Sequence, residues 1–242
     1  MEQDSCSLRI EMYWLIFILL CVAVTGFLVW ASAYIGSGVY LKSFCRGKKT
    51  AKHVALTFDD SPSQMTCAVL DVLKEHDVKA SFFVIGSKIE GNEDILQRIA
   101  EEGHIIGNHS WSHTPGFPLK KYKDVVEEIR MTSDRIQETT GKTPVLFRSP
   151  FGVTNPHIGK AVRELGMSSI GWSIRSLDTL ENRTRENIMA RIASQMEPGS
   201  VILLHDRCKD SDRLLRMLLQ YLEENDYTIV TIEEMFNLKI YD

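Results

Sequence analysis

In the segment His53-Val54-Ala55-Leu56-Thr57-Phe58-Asp59-Asp60-Ser61-Pro62, an apolar run that reads as a buried strand stops abruptly at two adjacent carboxylates. Buried side by side, Asp59 and Asp60 are costly, because like charges that close cannot both ionise freely without a counter-charge. A metal ion is the usual compensation: one carboxylate becomes a ligand, and its neighbour stays free to handle protons. A strand running into an Asp-rich turn, with Pro62 as its stop, is the simpler reading of the segment alone. The remainder of the chain decides against it.

From His53 onward, strand-like and helix-like patterns alternate. Strands are expected at Val54–Phe58, Ala80–Ile85, Ile105–Asn108, Val145–Arg148, Ser168–Trp172, Val201–His205 and Thr228–Val230. Asn92 is placed to cap a helix that runs to about Glu102, with Gly103 as its stop. Val125, Ile129 and Ile136 recur at helical spacing between Lys121 and Thr140, before Gly141. Asn155-Pro156 opens another helix that ends at Gly166. Asp210 or Ser211 caps the last long one, whose Leu214, Leu215, Leu218, Leu219 and Leu222 form a wide apolar face. Such alternation implies parallel strands joined by right-handed crossovers. About seven units in about 190 residues give an α/β fold, a distorted (β/α)7-type barrel smaller than the eightfold one of roughly 250 residues. Chemistry in parallel α/β folds gathers at the C-terminal ends of strands. Asp59, Asp60, His109, Arg148 and His205 all sit at such ends.

The 242 residues suffice for one domain with a substantial core and an appendage. A formal net charge of −4 gives no electrostatic case for a nucleic-acid partner. Cys6, Cys21, Cys45, Cys67 and Cys208 contain no CxxC pair, so neither a zinc knuckle nor a disulfide framework is indicated. Cys67 and Cys208 could meet only if the loops after Asp60 and His205 come together.

Residues 13–35 hold no charged side chain. As a helix they would span about 35 Å, enough for a hydrocarbon core of roughly 30 Å. Tyr13, Trp14, Trp30 and Tyr34 lie near the two ends, where interfacial aromatics belong. Ala31-Ser32-Ala33 resembles a signal cleavage site, but the run exceeds a signal h-region of roughly 7–15 residues and only Arg9 is basic ahead of it. A retained single-pass anchor is expected, followed by a basic linker at 36–52 and a globular domain at 53–242. Lys42, Arg46, Lys48, Lys49 and Lys52 follow the span, and that bias alone would place the domain in the cytoplasm, against the outward orientation expected from the function below.

Asn108-His109-Ser110-Trp111-Ser112-His113 sets two imidazoles four residues apart, a spacing that on a helical turn presents both to one point. Alone, the pair reads more simply as surface or capping histidines. With Asp60 it makes two His and one carboxylate, and three protein ligands with an open position describe a catalytic metal site. Arg148-Ser149-Pro150-Phe151-Gly152 follows a strand directly, and a guanidinium there can hold a carboxylate bidentately and keep it ionised. His205 ends four consecutive apolar residues, and His is the side chain best placed to give a proton near neutral pH.

At these residues the chain resembles the polysaccharide deacetylases of the NodB-like carbohydrate esterase family, from His53 to about Phe236. The family's TFDDGP appears as Thr57-Phe58-Asp59-Asp60-Ser61-Pro62, its H-[ST]-x-x-H as His109 to His113, its R-x-P-[YF]-G as Arg148 to Gly152, and its Leu-rich strand ending in His as Leu203-Leu204-His205. The resemblance implies Asp59 as general base, with Asp60, His109 and His113 as ligands of a divalent metal, zinc first, with cobalt or nickel as alternatives. It implies Arg148 orienting Asp59, the backbone N–H near Phe151 in the oxyanion site, and His205 as general acid. Leu203 or Leu204 would shape the acetyl pocket, and Trp172 would belong to the substrate pocket.

The fourth motif departs from the family. Where W-x-x-D-x-x-D-W is common, with its first Asp assisting the catalytic His and its last Trp lining the site, Trp172 to Thr179 puts Arg175 and Thr179 at those two positions. An Arg beside His205 would depress its pKa, so Asp178 is expected to take the role of carboxylate partner. Ser61 in place of glycine asks the turn after Asp60 to avoid positive φ. Two N-glycosylation sequons, at Asn108 and Asn182, are discounted, and the Glu127–Arg135 cluster reads as a solvated helix face. The expected activity is removal of N-acetyl groups from N-acetylglucosamine units of peptidoglycan or a chitin-like glycan, by a membrane-anchored enzyme facing outward. An O-acetyl esterase on a xylan-like glycan and an inactive glycan-binding relative are the alternatives.

Overall fold

The computed structural model describes residues 2–242. Its strands form one parallel sheet: β1 (Ser43–Phe44), β2 (His53–Ser61), β3 (Ser81–Val84), β4 (Ile105–Asn108), β5 (Leu146–Phe147), β6 (Ser168–Ile170), β7 (Ile174–Arg175), β8 (Ser200–His205) and β9 (Thr228–Ile229). The spatial order is β1-β6-β5-β4-β3-β2-β8-β7, with β9 paired to the start of β2. Among the described residues no pairing joins β1 to β7, so the barrel is open and distorted. The helices are α1 (Glu2–Ala33), α2 (Thr66–Glu75), α3 (Glu93–Glu101), α4 (Tyr122–Thr140), α5 (Pro156–Glu164), α6 (Arg185–Gln195), α7 (Ser211–Glu224) and α8 (Ile232–Phe236).

The unbroken apolar run of β2 follows from burial on both faces. Val54, Leu56 and Phe58 pack with Ile202 and Leu204 of β8 against Leu70, Leu73, Leu215 and Leu218 of the helices. Ala55 and Val201 pack on the inner side with Phe83, Leu146 and Ile170. Alternation therefore places Thr57, Asp59 and Leu203 on that inner face.

Helix ends follow the expected stops more closely than the expected starts. Gly103, Gly141 and Gly166 all adopt positive φ just beyond α3, α4 and α5. Asn155 caps α5, its Oδ1 accepting the Ile158 N–H at 2.9 Å. Asn92 precedes α3 but does not cap it: its Oδ1 accepts from Gln64 Nε2 and its Nδ2 donates to the Lys88 carbonyl. Asp210 precedes α7 without capping it either, its carboxylate being drawn into pairs with Arg185 and Arg213.

Residues 36–52, expected as a linker, are built into the body. β1 pairs with β6, Arg46 bridges to Ser200, and the Gly47 N–H donates to the Gly199 carbonyl at 2.8 Å. α1 ends at Ala33, two residues short of the expected span, and residues 11–33 have the length and composition of a membrane span or a signal sequence. Cys67 and Cys208, the pair that could have met, are both free thiols.

The fit of residue 40 against α5 generates a test. A Cβ on Gly159 would lie 2.2 Å from the Tyr40 carbonyl oxygen. Gly159→Ala should therefore destabilise the fold by about 1–3 kcal/mol, the usual cost of overpacking, despite alanine's better helix propensity. Chemical denaturation measures it, and an unchanged or raised midpoint would contradict the packing.

Candidate active site

On a regular strand, consecutive side chains point to opposite faces, so Asp59 and Asp60 could not share a site. β2 resolves this with a bulge. Asp59 pairs with Phe83 and Ser61 with Val84, leaving Asp60 as the extra residue. Asp60 itself takes the left-handed conformation, at φ 70, which Asp tolerates better than most residues. The positive φ thus falls on Asp60. Ser61 stays in the strand, and its hydroxyl donates to Asp206 Oδ2 at 2.6 Å.

His109 and His113 do not lie on a helical turn as expected. They occupy an irregular loop after β4 in which Ser110 (φ 67) and His113 (φ 44) are left-handed and cannot continue a right-handed helix. Their rings still converge, with centroids 4.6 Å apart. Two polar side chains hold the loop in this shape. Asn108 Oδ1 accepts the Ser110 N–H at 2.9 Å, while its Nδ2 donates to the Ile129 carbonyl at 2.7 Å. The Glu128 carboxylate accepts the N–H groups of Trp111 and Ser112 at 3.0 and 2.8 Å and the Ser112 hydroxyl at 2.7 Å, and pairs with Lys120. Burial pushes the Glu128 carboxyl up, but these hydrogen bonds outweigh it and hold its pKa below the ordinary range. Glu128 is thus a buried scaffold residue, not part of a solvated face. Its position, three residues after Val125 and four before the buried Thr132, was the available signal.

Asp60, His109 and His113 bring three ligand atoms within 4.8 Å of one another. Asp60 Oδ1 lies 3.8 Å from His109 Nε2 and 3.6 Å from His113 Nε2. That oxygen is buried and has no hydrogen-bond partner among the described residues, an orphan that a cation between the imidazoles would satisfy. His109 Nδ1 sits 2.7 Å from the Arg148 carbonyl; as donor there, it leaves Nε2 free to ligate. Burial, reinforced by the neighbouring His109, pushes the His113 pKa down to about 4, so that ring is neutral near pH 7. Burial pushes Asp60 up, but the histidines and the Arg207 hydrogen bond outweigh it, leaving its pKa at about 2. Both side chains are therefore in the protonation state that holding a metal would require.

Arg148 is completely buried. Its Nη1 donates to Asp59 Oδ1 at 2.7 Å and to Thr57 Oγ1 at 2.9 Å, while Nε and Nη2 donate to the carbonyls of Ile170 and Gly171. The carboxylate is therefore held by one guanidinium nitrogen, not bidentately, because the others are spent on backbone. Phe83 lies beneath the guanidinium at 4.0 Å.

β8 places His205 directly beside Asp59 in the ladder. Asp178 Oδ1 lies 2.8 Å from His205 Nδ1, and Asp178 Oδ2 accepts the His205 N–H at 2.7 Å. Burial presses the imidazole pKa down, but the hydrogen bond and charge of Asp178, with Asp59 and Asp60, outweigh it and raise the pKa above its ordinary value. Arg175 has no part in this: β7 buries Ile174 and leaves Arg175 exposed on the other side. Leu204 does not reach the site either, since it packs among the helix-facing core, whereas Leu203 is on the inner face. Phe151, at φ 59 and half exposed, sets its ring 4.7 Å from His113. Trp172 lies under Gly152 and 5.7 Å from the Arg148 guanidinium.

Two further residues were not anticipated. Arg207 Nε donates to Asp60 Oδ2 at 2.6 Å. Asp206 is buried and accepts from Ser61 and Thr66, and burial still raises its pKa to about 6. A cleft of about 630 Å³ opens beside Asp178 and Arg207, lined further by Leu180, Arg183 and Lys209.

A family model described as polysaccharide deacetylase matches residues 46–170. The peptidoglycan-N-acetylglucosamine deacetylase PgdA of Listeria monocytogenes is 36% identical over 193 residues, covering 79% of this chain and 40% of that protein. The chain thus spans well under half the length of that relative. The peptidoglycan-N-acetylmuramic acid deacetylase PdaA of Bacillus subtilis is 32% identical over 197 residues, covering 80% of this chain and 74% of PdaA. Among solved structures, the Bc1960 peptidoglycan N-acetylglucosamine deacetylase superposes with a TM-score of 0.76 at 30% identity, over 87% of this chain and 97% of that one.

Two measurements follow from the geometry. Asp178→Asn should lower the His205 pKa, read from imidazole NMR shifts across pH. Folding raises this pKa, so the pair stabilises the fold fully below about pH 6.5, and that contribution fades as pH rises through the folded value; an unchanged pKa in the variant would refute the coupling. If the Asp60, His109 and His113 cluster holds a divalent cation, Glu128→Gln should weaken that binding roughly 10–100-fold by loosening the histidine loop. Calorimetry on a variant with unaltered circular dichroism checks this, and wild-type affinity would contradict it.

Proposed function

This chain belongs to the polysaccharide deacetylase family, and from that premise we propose that it is a metal-dependent hydrolase removing N-acetyl groups from N-acetylglucosamine units of peptidoglycan or a chitin-like glycan. The observation that carries the reading is the convergence of Asp59, Asp60, His109, His113 and the Asp178–His205 pair on one strand-end site. The peptidoglycan substrates named for the relatives above support the choice of glycan.

A divalent cation held by Asp60, His109 and His113 would polarise the acetyl carbonyl and acidify a water near neutral pH. Asp59, held in place by Arg148, takes the proton of the attacking water. The backbone N–H of Phe151 faces the developing oxyanion. His205, protonated and oriented by Asp178, gives its proton to the departing amine, a step typically accelerated by about 10²–10⁴. Leu203 and Trp172 border the acetyl group, and the cleft beside Asp178 receives the neighbouring sugars.

α1 serves in this reading as a retained anchor with the domain outside. Arg46 and Lys49 pair with Glu197 at 2.8 and 2.7 Å, and Lys52 donates to the Asn225 carbonyl. Three of the five basic residues after the span are thus engaged by the fold, which weakens them as an orientation signal.

An O-acetyl esterase would use the same site, but its leaving group needs a fixed acid less, and the raised His205 pKa favours the amide. Acetate release should appear with N-acetylglucosamine oligomers or peptidoglycan, vanish on chelation and return with zinc, cobalt or nickel. Asp59→Asn should cut turnover by at least about 10²-fold while sugar binding persists. Release from O-acetyl sugars alone, or undiminished activity after exhaustive chelation, would overturn the assignment.

A further inference from the structure

The far end of α1 is not followed by free chain. Its last turn is hydrogen-bonded to the loop after the Arg148 turn: the Thr154 N–H donates to the Ser32 carbonyl at 2.9 Å, and the Ser32 hydroxyl donates to the Thr154 carbonyl at 2.6 Å. The Ser37 hydroxyl donates to the Ala31 carbonyl at 2.8 Å. Ala31 is fully buried there, and Ile35 and Leu41 are buried behind it. Residues 11–30, by contrast, are exposed along their whole length. A bilayer around them reaches up to the point where Ala31 meets Thr154.

That point lies on the rim of the active site. Thr154 is three residues from Phe151, at most about 11 Å of extended chain, and the Phe151 ring packs on His113. The adjoining loop is tied in as well, with Asn155 Nδ2 donating to the Pro118 carbonyl at 2.7 Å. Next to Pro118 stands Leu119, 88% exposed, the most exposed large apolar side chain among the described residues. Its neighbour Phe117 is fully buried, so the tip is held on a fixed root. Lys121 and Lys123, both exposed, follow it. One exposed leucine needs no explanation. An apolar tip with exposed lysines, beside the attachment point of a membrane span, has the composition of a lipid-facing surface.

We propose that the active-site rim rests on the bilayer crossed by α1, with Leu119 inserted among the lipids and Lys121 and Lys123 against anionic headgroups. The inference rests on α1 being a retained anchor and deepens the deacetylase reading. The cleft then opens along the membrane plane, and its substrate is a glycan still close to the bilayer, lipid-linked or newly polymerised.

The test uses the full chain in vesicles of phosphatidylcholine and phosphatidylglycerol, with a dansyl-bearing amino acid replacing Leu119. A second protein carries the same group in place of Glu224, at the end of α7 away from the rim. Lipid-borne nitroxide should quench the probe at 119 several-fold more than at 224, and aqueous iodide should do the reverse. A probe at 119 as aqueous as that at 224, in protein that resists carbonate extraction, overturns the inference and leaves the anchor standing. Extraction by carbonate overturns both. Acetate release by the two labelled proteins reads the deacetylase assignment independently of where the probes lie.

Discussion

A guanidinium sealed from water must find all its partners inside the fold, since burying an unpaired ion costs several kcal/mol. Arg148 meets that demand by reaching across the barrel. It takes Asp59 and Thr57 from β2 and the carbonyls of Ile170 and Gly171 from the end of β6. Its own carbonyl faces His109 Nδ1. One side chain therefore holds the first carboxylate in place, while its backbone fixes the orientation of an imidazole that faces the second. The strand ends on either side cannot shift without leaving one of these groups unpaired, which is why the functional side chains can be few and still be held in register.

Around this centre, further carboxylates act on loops. Glu128 gathers the loop between the two histidines, Asp178 grips both the ring and the backbone N–H of His205, and Asp206 ties Ser61 to Thr66 behind the bulge. A buried carboxylate can accept several N–H and O–H groups at once, so it is suited to fastening irregular backbone that no ladder supports. The positive-φ residues Asp60, Ser110 and His113 belong to these fastened segments.

The strands and the motif residues were legible because they leave one-dimensional traces: apolar runs of strand length, glycine stops, and polar residues at strand ends. The substitution of Asp178 for the altered fourth motif was also readable, since Asp178 was the carboxylate at hand near Trp172. Other features depend on tertiary pairing and leave no such trace. The Asp60 bulge appears only when β2 is laid against β3. The loop geometry of His109 and His113 is imposed by Asn108 and by Glu128, the latter 15 residues beyond His113. Arg175 looked like a perturbing charge because a linear motif does not say which face of β7 it occupies. The edge strand at Ser43–Phe44 was hidden by its brevity among basic residues.

Asp59 and His205 are neighbouring rungs of two parallel strands. Their backbone separation is accordingly a property of the ladder, whose strands lie about 4.7–4.9 Å apart. In the proposed reaction the two strands would carry the proton acceptor and donor as marks on a rigid ruler. On that reading a sugar would bring its acyl linkage to a gauge set by the sheet, and the fit to a particular glycan would fall to the rim loops.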